Sequence, residues 1–170
     1  LSTLTNAKPK IGDYPFTTLE PNLGVAKIDD DTTIVMADIP GLIEGAAEGA
    51  GLGHDFLRHI QRTRVLIHMI DGLSEDPLAD FSQINTELSL FDPKLGSKPQ
   101  IVVLNKIDQP NVQERLKEIQ ANFKKKKIEL ITASAMARTN TRDILIAAFK
   151  KLEETPIPEM EETLPIYKPD

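Results

Sequence analysis

The sequence predicts an α/β domain, a mostly parallel sheet with one antiparallel edge and helices on both faces. Three observations carry this. Two β-rich runs, Leu23 to Ile28 and Thr32 to Ala37, flank Asp29, Asp30 and Asp31, which reads as an antiparallel hairpin. Three short apolar runs follow, Val65 to Ile70, Ile101 to Leu104 and Ile128 to Thr132, of the kind shown by strands covered on both faces. Each of these is followed by a helical stretch, and such alternation favours parallel strands with right-handed crossovers.

The individual elements have local reasons. Pro77 to Phe91 aligns Phe81, Ile84 and Leu88 on one helical face, with Asp76 as N-cap and Pro77 at the first helical position. Arg142 to Leu152 aligns Leu145, Ala148, Phe149 and Leu152. Leu1 to Thr5, with leucines three apart and a stop at Asn6, reads as the end of a helix. Residues 1–153 are expected to form one domain. Residues 154–170 hold four prolines among acidic side chains and are expected to be an extended tail or linker.

Composition narrows the function. The 170 residues suffice for one compact core. With 26 acidic and 20 basic side chains the net charge is −6, which gives no whole-chain footprint for nonspecific nucleic-acid binding. The absence of cysteine excludes disulfides and thiolate metal sites, and three histidines, His54, His59 and His68, cannot alone build a tetrahedral zinc site. No apolar run approaches the ~20 residues of a membrane-spanning helix, and no secretory signal pattern opens the chain. A cytoplasmic protein is expected.

Ligands of such sheets sit at the carboxyl ends of the strands, and three motifs fall there in order. Asp38-Ile39-Pro40-Gly41 follows the strand Thr33 to Ala37. An aspartate at a strand end can hold Mg²⁺ through water, and a glycine lets its N–H approach a terminal phosphate without a Cβ in the way. Asn105-Lys106-Ile107-Asp108 follows Ile101 to Leu104. A carboxylate at Asp108 can accept two hydrogen bonds from the N1 and exocyclic amino edge of guanine, a pair of donors adenine lacks. Lys106 can lay its stem over the base, and Asn105 can tie neighbouring loops together. Ser134-Ala135-Met136 follows the last apolar run, where small residues let a backbone N–H reach guanine O6. Each motif alone could be a turn; the ordered set points to a guanine nucleotide.

The set resembles the P-loop class of guanine-nucleotide GTPases with a Ras-like domain, and the details resemble the Obg family. Tyr14 to Gly24, containing Phe16-Thr17-Thr18-Leu19-Glu20, is similar to that family's first switch. Asp38 to Thr63, with Gly41-Leu42-Ile43-Glu44-Gly45 through Gly53 and Phe56-Leu57-Arg58-His59-Ile60, is similar to its second switch. The resemblance implies that Thr18, rather than its neighbour Thr17, ligates Mg²⁺ when the γ-phosphate is present. It implies that Asp38 holds the metal through water and that Gly41 senses the γ-phosphate. Phe16, Thr17, Leu19, Glu20, Ile39 and Pro40 would complete the phosphate side of the site. GTP and GDP are the implied ligands, GTP hydrolysis the implied activity, and the large ribosomal subunit with its RNA the implied partner.

Two departures qualify this. The Gly-x-x-x-x-Gly-Lys-Ser/Thr loop is absent from these residues and is expected just before Leu1, without which binding and hydrolysis should be poor. Leu42 stands where many GTPases carry a water-orienting glutamine, which implies slow intrinsic hydrolysis, with Glu44 as a candidate substitute. Gly45 to Gly53 reads as a switch segment rather than a phosphate cradle. Lys124 to Lys127 could touch ribosomal RNA, although such runs are usually solvated. His54 and His59 read as surface or switch residues and His68 as a satisfied core histidine. The rival readings are a nucleotide-independent protein- or RNA-binding module and an adenine-specific relative, the latter opposed by Asp108.

Overall fold

The computed structural model describes Leu4, residues 22–38 and residues 58–157. Strands β1 (Asn22–Lys27) and β2 (Thr33–Asp38) pair antiparallel with Val25 opposite Val35. The acidic turn between them is built as its composition suggests. Asp29 accepts a hydrogen bond from the Asp31 amide at 2.9 Å, and the Ile28 amide donates to Thr32 O at 2.8 Å. Alternation then sorts the side chains: Ala26, Ile28 and Ile34 are buried, whereas Leu23, Val25 and Val35 face outward.

Strands β3 (Leu66–Asp71), β4 (Gln100–Asn105) and β5 (Leu130–Thr132) form a parallel sheet in that order, with Ile70 opposite Leu104 and Asp71 opposite Asn105. Helix α1 (Pro77–Phe91) begins as expected, Asp76 accepting from the Ala79 amide at 3.0 Å ahead of Pro77. A short helix α2 (Pro93–Gly96) follows, capped by Asp92 through the Lys94 amide at 3.0 Å. Helices α3 (Pro110–Lys125) and α4 (Thr141–Glu154) complete the alternation. Helix α4 runs one residue into the segment expected to be a tail.

The two faces of the parallel sheet have different covers. Ile70, Val102 and Leu104 pack against Val112, Ile119 and Phe123 of α3, with Leu78 and Phe81 of α1 alongside. Val103 and Ala133 pack on the other side against Ile144 of α4. Phe123, Val103 and Leu104 are fully buried. Period-two alternation in β4 therefore feeds both cores, which is why its sequence reads as an unbroken apolar run.

The antiparallel pair is present, but among the described residues it forms a two-stranded sheet of its own rather than an edge of the larger one. Packing joins the two sheets. Ala26, Ile28 and Ile34 share a cluster with Leu145 and Ala148 of α4 and with Ile67 and Ile101 of the parallel sheet. Arg142, in the first turn of α4, donates to the backbone carbonyls of Lys27 and Ile28 at the hairpin turn.

His68 packs inward, stacked on Phe81 with ring centroids 5.2 Å apart, but it is not the fully satisfied histidine expected. Only one of its nitrogens is partnered: Nδ1 lies 3.3 Å from Gln100 Oε1, while Nε2 is buried without a hydrogen bond among the described residues. Burial pushes its pKa below the ordinary imidazole value, against the opposing pull of Gln100, and favours the neutral ring.

Candidate nucleotide site

The carboxyl ends of β3, β4 and β5 converge on one hydrogen-bonded cluster. As β4 ends at Asn105 the chain turns through Lys106, whose φ of 68° is left-handed, and Gln109 N–H donates to Lys106 O at 3.0 Å. This reversal aims Asn105 and Asp108 toward the segment that follows β5. Asn105 Oδ1 accepts from the Ala135 amide at 3.0 Å, and the Ile107 amide donates to Ala133 O at 3.2 Å. The Ser134 hydroxyl donates to Asp108 Oδ1 at 2.7 Å and accepts from the Ala137 amide at 3.0 Å. Three of these hydrogen bonds, from Ala135, Ile107 and Ser134, join the two segments into one unit.

Ser134 makes this possible through its own placement. It is buried and exchanges backbone hydrogen bonds with Thr139, at 3.1 and 3.0 Å, closing a tight loop in which Met136 is largely exposed. Asp108 has its second oxygen, Oδ2, 3.0 Å from the Gln109 amide nitrogen. The Ser134 hydroxyl is the main reason the Asp108 carboxyl titrates below the usual aspartate value; the Gln109 amide and the Lys106 charge act in the same direction. Asp108 is thus held as a carboxylate, an acceptor only, at the rim of the sheet.

Two residues of the cluster escaped the sequence reading. Asp71, the last residue of β3, accepts from Lys106 Nζ at 3.0 Å. Gly72 follows it, donating its amide to Asn105 O at 3.1 Å; a Cβ at Gly72 would come within 2.5 Å of that oxygen. The signal was available, since an acidic residue and a glycine at the end of an apolar run is the pattern that drew attention to Asp38.

The phosphate side is described only at Asp38, the exposed last residue of β2. It makes no hydrogen bond to the Asn105–Asp108 cluster among the described residues. Phe16, Thr17, Thr18, Leu19, Glu20, Ile39, Pro40 and Gly41 lie outside the described residues, as do Leu42, Glu44, the glycines from Gly45 to Gly53, and His54. No group of three or more histidine or carboxylate side chains able to hold a metal occurs among the described residues. His59 is half-buried, in the short helical turn 58–61 that Lys98 closes by donating to Ile60 O at 2.8 Å.

Residues 1–106 match the family model described as 50S ribosome-binding GTPase. The chain belongs to the 50S ribosome-binding GTPase family. Within that family its sequence is of the Obg type, as the segments Tyr14 to Gly24 and Asp38 to Thr63 led us to expect. It is 52% identical over 157 residues to GTPase Obg of Aquifex aeolicus, covering 91% of this chain and 46% of that protein. It is 50% identical over 168 residues to GTPase Obg of Oceanobacillus iheyensis, covering 96% and 39%. It is also 49% identical over 154 residues to the probable GTP-binding protein OBGC1, chloroplastic, of Oryza sativa subsp. indica, covering 91% and 20%. The chain therefore spans less than half the length of these family members. In fold, it is similar to Era in complex with MgGDPNP and a segment of 16S ribosomal RNA, with a TM-score of 0.66 at 24% identity over 93% of this chain and 52% of that one. That likeness confirms the P-loop GTPase fold of the family. No helix among the described residues is long and apolar enough to cross a membrane.

Proposed function

We propose that this chain is the guanine-nucleotide-binding unit of an Obg-type switch that binds GDP and GTP, hydrolyses GTP slowly, and acts in the cytoplasm on the large ribosomal subunit during its assembly. The observation that supports this best is the joining of Asn105–Asp108 to Ser134–Met136, with the Asp108 carboxylate held ionised at the rim. In this reading Asp108 accepts from guanine N1–H and the exocyclic amine, the Lys106 stem covers the base, and Asn105, by accepting from the Ala135 amide, fixes the loop that offers the backbone N–H of Met136 to O6. Ile107 and Ser134 hold that geometry from beneath.

On the phosphate side, Phe16 to Glu20 form the first switch and Asp38 to Gly41 the start of the second. Hydrolysis proceeds by in-line attack of water on the γ-phosphorus, with the bond to the β–γ bridging oxygen breaking and GDP leaving. Mg²⁺, when bound with the nucleotide, supplies charge neutralisation of the phosphates. The Thr18 hydroxyl and, through water, Asp38 would hold it; a single exposed carboxylate fits an ion whose other ligands are phosphate oxygens and water. Leu42 offers no hydrogen bond to orient the attacking water, which supports a slow rate. Loss of the γ-phosphate then releases both switches.

The test is co-sedimentation of the full-length protein with purified large subunits at fixed salt, in the presence of a non-hydrolysable GTP analogue, GDP or no nucleotide. At least tenfold tighter binding with the analogue is expected, which requires only about 1.4 kcal/mol of coupling. By reciprocity, added subunits raise affinity for the analogue by the same factor. Equal binding in all three states contradicts the switch and favours a nucleotide-independent binding module.

A further inference from the structure

In the guanine site proposed above the stem of Lys106 covers the base, and the structure shows what restrains this flexible side chain. Its ammonium lies 3.0 Å from Asp71 Oδ2, with the two side chains 44% and 50% exposed. An ion pair so open to solvent adds little to the stability of a fold. Its surroundings are nonetheless built with care. Asp71 is in register with Asn105 across the parallel β3–β4 pair. Its other oxygen, Oδ1, accepts from the Leu73 amide at 2.9 Å, so the carboxylate is fixed from below and presents Oδ2 to the lysine. The following Gly72 amide is bonded to Asn105 O, and the approach is too close for any side chain at that position. The ends of β3 and β4 therefore form a rigid seat for a carboxylate facing Lys106. Burial disfavours its charge, but the Leu73 amide and the lysine outweigh that and keep it ionised.

We propose that Asp71 is a positioning residue for nucleotide binding, anchoring the Lys106 ammonium so that its four-carbon stem is already laid across the place of the guanine base. This rests on the guanine-site reading above. An unrestrained lysine must lose its rotamer freedom when the base arrives, and a lysine held by Asp71 has lost it beforehand. Asp71 touches neither base nor phosphate in this arrangement; its effect passes through Lys106. The contribution belongs to affinity for any nucleotide whose base lies under the stem. Choice of base stays with Asp108.

The experiment is a double-mutant cycle in the full-length protein, using fluorescent GDP titrations with a melting curve for each variant. Asp71→Asn keeps an acceptor for the Leu73 amide and removes the charge that holds the lysine; Lys106→Met keeps the stem and removes the ammonium. Asp71→Asn is expected to weaken GDP binding about fivefold, the scale set by immobilising one rotamer-rich side chain. In the Lys106→Met background the same substitution should have no further effect, while the melting temperature of Asp71→Asn stays near that of the parent. Unchanged GDP affinity in Asp71→Asn overturns the proposal while leaving the guanine site intact. An equal loss in both backgrounds overturns it as well, since Asp71 would then act on the fold rather than through the lysine. Failure of the parent protein to bind GDP overturns both the proposal and the reading it rests on.

Discussion

Replacing Asp108 by asparagine is expected to abolish tight GDP binding and transfer the preference to xanthine nucleotides. The carboxylate is an acceptor at both oxygens, so it meets two guanine donors; a carboxamide places an N–H₂ against the guanine amine and leaves a donor facing a donor. Xanthine carries a carbonyl at that position and restores the match. Sites built on such hydrogen bonds discriminate by ~10⁴-fold, and the swap moves GDP and xanthosine diphosphate in opposite directions. The surroundings should tolerate it. Ser134 Oγ can still donate to the amide oxygen, as it donates to Oδ1 at 2.7 Å in the parent. The Gln109 amide, 3.0 Å from Oδ2, has other directions in which to turn at this half-exposed rim. Titrations with both bases check the result; unchanged GDP affinity would remove Asp108 from the base site.

The largest effect on stability is expected from Phe123→Ala. Phe123 is fully buried near the end of α3, packs with Val102 and Leu104 of the central strand, and meets Phe81 edge-on with centroids 5.8 Å apart. Its truncation removes contacts to two helices and the sheet at once. Such substitutions cost about 3–5 kcal/mol, a large share of the roughly 5–15 kcal/mol that holds a domain folded. A fall in melting temperature on the order of 10 °C follows. The backbone of that helix end should survive locally, because Ile128 N–H bonds to the Phe123 carbonyl rather than to its ring. Calorimetry or circular dichroism reads the shift, and a loss below about 1 kcal/mol would mean that this position does not anchor the core.

The parallel strands were legible in the sequence because both of their faces are buried: β4 feeds Leu104 to one core and Val103 to the other, leaving no polar interruption. Helix α1 was legible from its cap, since Asp76 and Pro77 do what their chemistry allows. Helix α3 was less so. Pro110 stands at its first helical position, but Gln109 makes no capping bond and the helix ends through a left-handed Lys127 rather than a glycine, so its ends are marked more weakly. The separation of the hairpin from the larger sheet depends on hydrogen bonds between distant segments, which no local pattern encodes. Within the site, Asn105, Asp108 and Ser134 were readable as a spacing of residue types. Asp71 carries the same acidic end of an apolar run as Asp38, but that it faces Lys106 depends on the register that sets it opposite Asn105. The Gln109 contact to Asp108 was likewise invisible before a backbone turn brought the two side chains together.

The central claim is that the carboxyl ends of β4 and β5 form a guanine site, and determining the structure of the full-length protein with GDP bound tests it most directly. The account predicts guanine N1 and its exocyclic amine within about 2.7–3.2 Å of the Asp108 carboxylate, with the Lys106 stem across the ring and its ammonium still on Asp71. A base bound elsewhere, with Asp108 still engaged only by Ser134 and Gln109, would contradict it.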